Sequence, residues 1–306
     1  MSETEDWRAE IRRRTTAEIR LDEEASRHTS IGVGGRIDAI VFPRNEEELT
    51  QTVRFLKEAR IPFLPVGNWT NLIVTDRGYR GVLVSLSGLT ALDLGEGPAG
   101  DVRLTAQAGV SLAELVNISI REALTGIEFC AGIPGSLGGA LRMNAGAYGG
   151  EIKDIVETVR LLDPAGEIRE ASRSGLRFTY RSLDLSAETV IIGAVLRLRR
   201  SDGTAVSGKV REIIEMRRGK HPLEFPSAGS IFRNPREVPA GKLIDQAGLK
   251  GFRIGDAQVS EKHGNFIVNR GKARAEEILS LIALIQRRVF ETTGHQLRTE
   301  VKIIGE

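Results

Sequence analysis

Several segments carry residue types and spacings that could do chemistry. The densest is Gly132-Ile133-Pro134-Gly135-Ser136-Leu137-Gly138-Gly139-Ala140, whose closely spaced small residues let backbone N–H groups converge on an anion. It runs into Met143-Asn144-Ala145-Gly146-Ala147-Tyr148-Gly149. A plain loop does not need so many glycines in succession. A second candidate is Gly67-Asn68-Trp69-Thr70-Asn71, directly after a strand pattern at 63–66. The carboxyl end of a parallel strand is a common place for a ligand phosphate, and a structural turn is an equally good reading. A third is Pro226-Ser227-Ala228-Gly229-Ser230-Ile231-Phe232-Arg233-Asn234-Pro235, in which a pocket wall could hold the Ser230 hydroxyl. No Asp–His pair accompanies it, which argues against a hydrolytic triad, and a loop serine is the plainer reading. Arg181, beside Phe178 and Tyr180, could clamp a carboxylate at two points or simply be solvated. Glu300 alternates with Val301 and Ile303 in a terminal strand pattern, where an exposed glutamate is the default.

Other signatures fall away. Gly95-Glu96-Gly97-Pro98-Ala99-Gly100 has the GxGxxG spacing, but a strand pattern follows it where a dinucleotide site requires a helix, so it reads as a turn. There is no Walker loop and no GxSxG elbow. Cys130 is the single cysteine and reads as a buried small hydrophobe. His263 has no metal partner at useful spacing and reads as a hydrogen-bonded structural histidine; no metal site is expected.

The elements that must position these residues follow from periodicity. A helix is predicted over 7–19, then an irregular stretch leads to His28-Thr29 and Gly34-Gly35. Asp38–Phe42 reads as a strand, Asn45 with Glu48 caps a helix carrying Leu49, Val53 and Leu56, and Phe63–Val66 closes a strand–helix–strand unit with parallel strands. Strands are predicted at 81–86, 102–106 and 189–199, and a hairpin over 156–169 around Asp163-Pro164-Ala165-Gly166. Ser111 and Glu114 form a capping box for a helix reaching Ala123. A composition shift at 201–204 suggests a boundary, followed by helices at 209–218 and 273–293, the latter stopped by Gly294. Helices and strands alternate throughout, which means α/β or α+β.

Composition bounds the function. With 43 Lys and Arg against 41 Asp and Glu, the net charge of +2 gives no electrostatic case for nucleic acid or a membrane surface. The first 16 residues lack the apolar core of a signal peptide, and no apolar run approaches membrane-spanning length, so a cytoplasmic setting is expected. Glycine is the unusual figure, 34 of 306 residues, about 11% against roughly 7% on average.

Taken in order, these segments resemble the UDP-N-acetylenolpyruvoylglucosamine reductase (MurB) family. The pattern covers His28-Thr29 with Gly34-Gly35, the 67–72 loop, 132–136, 143–149, Tyr180-Arg181, Lys220 with Pro222, 227–235, 243–251, Ser260 with 263–266, and Leu297 with Glu300-Val301 and Gly305. The length resembles the shorter type, which lacks an inserted tyrosine loop. The resemblance implies an α+β protein: a two-lobed FAD-binding domain of the PCMH/vanillyl-alcohol-oxidase type and a C-terminal α+β substrate domain. It places lobe one at 1–85 with the tail 298–306, lobe two at 86–203, and the substrate domain at 204–297.

It further implies an oxidoreductase of peptidoglycan precursor synthesis, and so of cell-wall biogenesis, cell shape and division. NADPH reduces non-covalent FAD, which then reduces UDP-N-acetylglucosamine enolpyruvate to UDP-N-acetylmuramate. The rivals are an FAD-linked oxidase of the same superfamily, acting on an alcohol or lactone, and a flavin-binding protein without turnover. By residue matching, Arg181 stabilises the charge that builds on the substrate carboxylate, Glu300 is its protonated acidic partner, and Ser230 donates the proton. FAD contacts are implied at Gly67, Asn68, Trp69, Thr70, Asn71, Leu72, Gly132, Ile133, Pro134, Gly135, Ser136, Gly138, Gly139, Asn144, Ala145 and Gly146. Tyr148, Tyr180, Arg217, Lys220 and Asn234 are matched to the UDP-sugar. A monomer with no nucleic-acid or membrane partner is expected.

The chain departs from the pattern in places. Where the family usually has Gly-x-Gly-Ser-Asn, this sequence has Gly67-Asn68-Trp69-Thr70-Asn71. Tryptophan does not take positive φ cheaply, so either the loop differs or that glycine is not needed for its dihedral. Leu183 stands where a serine is frequent after Tyr-Arg, and Gly35-Arg36-Ile37-Asp38 replaces a usual Gly-Pro-Ala-Asp.

Overall fold

The computed structural model describes residues 3–306, with side chains from Trp7 onward; residues 1 and 2 of the N-terminal segment lie outside the described residues. The helices are α1 (Glu3–Arg14), α2 (Glu46–Glu58), α3 (Leu112–Arg121), α4 (Leu137–Arg142), α5 (Gly203–Lys220), α6 (Ala240–Gln246) and α7 (Ala275–Thr293). The chain forms two compact units: one of residues 1–21, 39–68 and 81–215, the other of 22–38, 69–80 and 216–306. This division differs from the sequence-based one. It splits the expected first lobe between the two units, and it puts most of α5 with the first.

A four-stranded sheet, its strands falling mostly in the first unit, orders Glu18–Glu24, Arg36–Phe42, Tyr79–Ser85 and Phe63–Val66. Tyr79–Ser85 therefore stands between the two strands expected as neighbours and is the parallel partner of Phe63–Val66. The helix expected over 7–19 ends at Arg14, because the alternation of Ile19 and Leu21 with charged residues makes 18–24 a strand. Asn45 caps α2, its side chain accepting the Glu48 N–H at 2.9 Å, and Ser111 caps α3 by accepting that of Glu114 at 3.1 Å. Leu49, Val53 and Leu56 of α2 are buried with Val41, Val82 and Val84. A second sheet orders Ile168–Ser172, Val156–Leu162, Val190–Arg200, Asp101–Gln107 and Leu92–Glu96, all antiparallel. The Gly95–Gly100 string is the turn of its last hairpin, as its strand-like sequel requires.

In the second unit an antiparallel sheet orders Ser227–Ser230, Phe266–Asn269, Ala257–Val259 and Arg253–Ile254. α7 packs on it through Ile278, Leu281, Ile282 and Ile285, in one core with Ile231, Phe232 and Val301. The C-terminal strand Lys302–Ile304 runs parallel to Leu72–Val74. No helix among the described residues is long and apolar enough to cross a membrane.

Candidate active site

Ser230 owes its position to an irregularity. Ser227 pairs with Val268 but Ser230 with Phe266, so one extra residue bulges out of the strand. Gly229 takes it up at φ +71 with open space around it. A bulge of this kind re-aims the next side chain. Asn265 then fixes Ile231 and Phe232: its Nδ2 donates to the Phe232 carbonyl (2.8 Å), its Oδ1 accepts the Phe232 N–H (2.9 Å), and its backbone carbonyl accepts the Ile231 N–H (2.9 Å).

The same segment holds Glu300. The Ile231 carbonyl accepts the Glu300 N–H at 2.8 Å, the Arg298 carbonyl accepts the Arg233 N–H at 2.9 Å, and Phe232 and Thr299 form a β-bridge. On the other side the Glu300 carbonyl accepts from Asn71 Nδ2 at 3.2 Å. Glu300 is half-buried and precedes the terminal strand; it is not the exposed strand residue that alternation suggests. The second unit thus sets a hydroxyl and a carboxyl on adjoining segments.

Arg181 belongs to the first unit. Its φ is +56, and Asn144 (+41) and Tyr148 (+51) share the left-handed region in the same neighbourhood. Non-glycine residues held there mark sites where the fold over-determines the backbone. Asn144 is fully buried and joins them. Its amide donates to Glu151 Oε2 and to the Thr179 carbonyl, both at 3.0 Å, while its Oδ1 accepts the Lys153 N–H. The Asn144 side chain is therefore hydrogen-bonded to the protein at three points. Gly146–Ala147 and Gly150–Glu151 form a two-stranded hairpin with Tyr148 and Gly149 at its tip, both at positive φ as a type I′ turn requires. Tyr148 and Tyr180 are exposed, and the Arg181 guanidinium lies 5.3 Å from the Tyr180 ring.

The two glycine loops expected separately meet in the first unit. A Cβ on Gly67 would stand 2.4 Å from Ser136 Oγ, so a side chain at residue 67 would displace that hydroxyl. Ser136 precedes α4 without capping it, and its hydroxyl is buried with no hydrogen-bond partner. A buried hydroxyl in that condition calls for an acceptor, and the oxygen of a diphosphate fits. The N–H groups of Ile133 and Gly138 are not free for this, being donated to Cys130 and Ala108, and Gly138 is a glycine because Ala108 packs where its Cβ would be. The loop backbone thus fits FAD through fewer N–H groups than its glycine count suggests.

Two family models match: an FAD binding domain over residues 37–172 and the C-terminal domain of UDP-N-acetylenolpyruvoylglucosamine reductase over 221–304. The reductase of Syntrophus aciditrophicus is 52% identical over 94% of this chain and 92% of its own length. That of Caldanaerobacter subterraneus is 44% identical over 94% of this chain and 93% of its own. The crystal structure of the Thermus caldophilus enzyme superimposes with a TM-score of 0.80 at 32% identity, covering 94% of this chain and 99% of that one. The chain belongs to the MurB family. Its architecture is that of the family, a PCMH-type FAD-binding N-terminal part and a C-terminal α+β substrate domain.

Against the MurB pattern, the loop at 67–72 resolves the doubt over Trp69. Trp69 does adopt the left-handed conformation, at φ +56. Its ring is buried and stacks on His28, centroids 5.2 Å apart, and its carbonyl accepts the Ser30 N–H at 3.3 Å. Of the MurB residues matched to the UDP-sugar, Arg217 is buried in the last turn of α5 and Lys220 is exposed at its end. Asn234 Oδ1 accepts the Ala240 N–H at the start of α6, at 3.0 Å. Burial first, then the positive charge of Arg217, pushes His221 down to about 4, and burial likewise lowers His263. Both rings pack on Phe266 as neutral imidazoles, and His263 Nδ1 accepts the Asn265 N–H, the structural part expected of it. Sequence reading assigned no role to Asn265, whose importance depends on a partner 33 residues away in the chain.

Proposed function

We propose that this chain is the NADPH- and FAD-dependent reductase that converts UDP-N-acetylglucosamine enolpyruvate to UDP-N-acetylmuramate, a step of peptidoglycan precursor synthesis. The observation that carries the reading is the end-to-end match to MurB enzymes, 52% identity over 94% of the chain. Bound FAD supplies hydride transfer, from NADPH and on to the terminal carbon of the enolpyruvyl double bond. The Gly67–Leu72 and Gly132–Gly139 loops hold its diphosphate, with Ser136 Oγ as one donor.

The residue roles follow from where charge goes. Hydride arriving at the terminal carbon builds negative charge on the neighbouring carbon and on the carboxylate. Left alone in a dry site, that charge is prohibitively costly. Arg181 meets the carboxylate with a guanidinium. Glu300 meets it as a neutral acid, because an ionised carboxylate would repel the developing charge. Ser230 gives its proton to the carbanionic carbon, a stronger base than an alkoxide, so the transfer runs downhill. Preorganised donors of this kind are worth about 3–4 kcal/mol each. Arg217 and Lys220 meet the UDP diphosphate, and Tyr148, Tyr180 and Asn234 hold the UDP-sugar; of these, Arg217, Lys220 and Asn234 belong to a substrate domain of residues 204–297. The enzyme works as a cytoplasmic monomer.

The test uses the purified flavoprotein under anaerobic conditions. NADPH should bleach its yellow colour, and UDP-N-acetylglucosamine enolpyruvate should restore it with one equivalent of product. Bleaching followed by recolouring only with oxygen would point to a different electron acceptor and remove the assignment.

A further inference from the structure

Trp69 holds a conformation that its own side chain disfavours, and the structure shows what holds it there. The segment carrying His28 and Ser30 grips it twice. The His28 ring stacks on the indole at 5.2 Å with a 30° tilt, and the Ser30 N–H bonds the Trp69 carbonyl. Glu23 Oε2, 3.1 Å from His28 Nε2, fixes the orientation of that ring. Ser30 is tied in turn to the strand that ends in Ser230, its hydroxyl donating to the Ser227 carbonyl at 2.7 Å.

Two residues beyond Trp69, the chain reaches the backbone of the carboxyl-bearing residue. Asn71 grips that backbone on both sides of Val301: its Nδ2 donates to the Glu300 carbonyl and its own carbonyl accepts the Lys302 N–H at 3.1 Å. The Glu300 peptide is therefore held between the Ser230 segment, through the Ile231 carbonyl, and the turn that Trp69 shapes. A change of φ at residue 69 would swing Asn71 and loosen one of the two holds.

We propose that His28 is a positioning residue for Glu300, acting through the left-handed turn at Trp69. It acts by keeping an unfavourable backbone conformation populated, so that Asn71 can hold the Glu300 backbone in place. The proposal rests on the role given to Glu300 above.

The test compares His28→Ala, Trp69→Gly and the double variant in the full flavin-loaded protein. Glycine takes the left-handed conformation without a stacking partner, so the need for His28 should vanish when residue 69 is glycine. His28→Ala should slow reoxidation of the reduced flavin by the enolpyruvyl substrate by about tenfold, the scale of one strained residue released. Flavin reduction by NADPH, read per bound flavin because the 67–72 loop is also assigned to the FAD diphosphate, should slow less than reoxidation by the substrate, since the holds described act on Glu300. In the Trp69→Gly background the same His28→Ala change should add nothing. Hydrogen exchange at the Leu72 and Lys302 amides should quicken in His28→Ala and return in the double variant. His28→Phe, which keeps a ring but loses Glu23, should exchange like wild type and guards against a collapsed alanine variant. An equal effect of His28→Ala in both backgrounds, or unchanged exchange at Lys302, overturns the proposal. Loss of all substrate reduction in the wild-type protein would instead strike the functional assignment, while the exchange comparison would still decide the role of His28.

Discussion

Ser230 is a weak acid in water, and the fold does not change its chemistry so much as its whereabouts. The bulge at Gly229 turns it, and the two bonds from Asn265 to Phe232 stop the segment from relaxing. A donor placed this firmly loses little freedom when it acts, which is what makes a poor acid useful. Ser230→Ala should therefore leave flavin reduction by NADPH nearly intact and slow reduction of the enolpyruvyl substrate by about 10²-fold or more. Rapid mixing of each half-reaction separates the two. Equal slowing of both would mean that the hydroxyl serves binding or structure. Asn144 shows the same bracing: its side-chain bonds to Glu151, Thr179 and Lys153 hold the turn before Arg181.

Element by element, the sequence was legible where the cause is local. Asn45 and Ser111 announce helices within three residues, Gly294 stops α7 at φ +72, and the 163–166 turn joins the two strands of the expected hairpin. It was illegible where the cause is distant. The first strand was hidden because its charged residues on both faces outweigh the alternation of Ile19 and Leu21. The bulge before Ser230 is invisible without its partner strand, and so are the holds on Glu300. The span of α7 was legible, but its cap is distant: Arg274, which precedes it, has no side-chain oxygen. Asp76, about 200 positions earlier, accepts the Ala275 N–H at 2.9 Å and the Glu276 N–H at 2.8 Å. It does the work of a cap residue from outside the helix. Asp76→Ala should destabilise the protein by about 1–2 kcal/mol, and Asp76→Asn, which keeps one acceptor, by less. Urea unfolding followed by circular dichroism measures both; identical midpoints for wild type and Asp76→Ala would show that water caps α7 equally well.

For the molecule as a whole, acid is the condition that distinguishes the two units. In the second, His221 is kept neutral by burial and by Arg217, His263, Lys220 and Lys262, its pKa pushed from 6.5 down to about 4. Protonation thus favours the unfolded chain, and the stability held by the neutral ring is whole above about pH 6.5 and drains away toward pH 4. In the first, Glu48 is buried and its pKa is lowered from 4.5 to about 2, chiefly by hydrogen bonding from the Arg44 side chain and further by the Arg44 N–H and Thr16. Its contribution is intact above about pH 4.5 and is lost as pH falls through 2. It is of the order of 2–3 kcal/mol once the exposure of Arg44 is allowed for. The two windows scarcely overlap. Hydrogen exchange across a pH series should therefore show amides of 216–306 losing protection first, between about pH 6.5 and 4, while those of α2 hold until lower pH. His221→Phe should flatten the first loss without touching the second, and Glu48→Gln should do the reverse. If both regions lost protection together, and neither variant separated them, acid stability would be a property of net charge and not of these two buried groups.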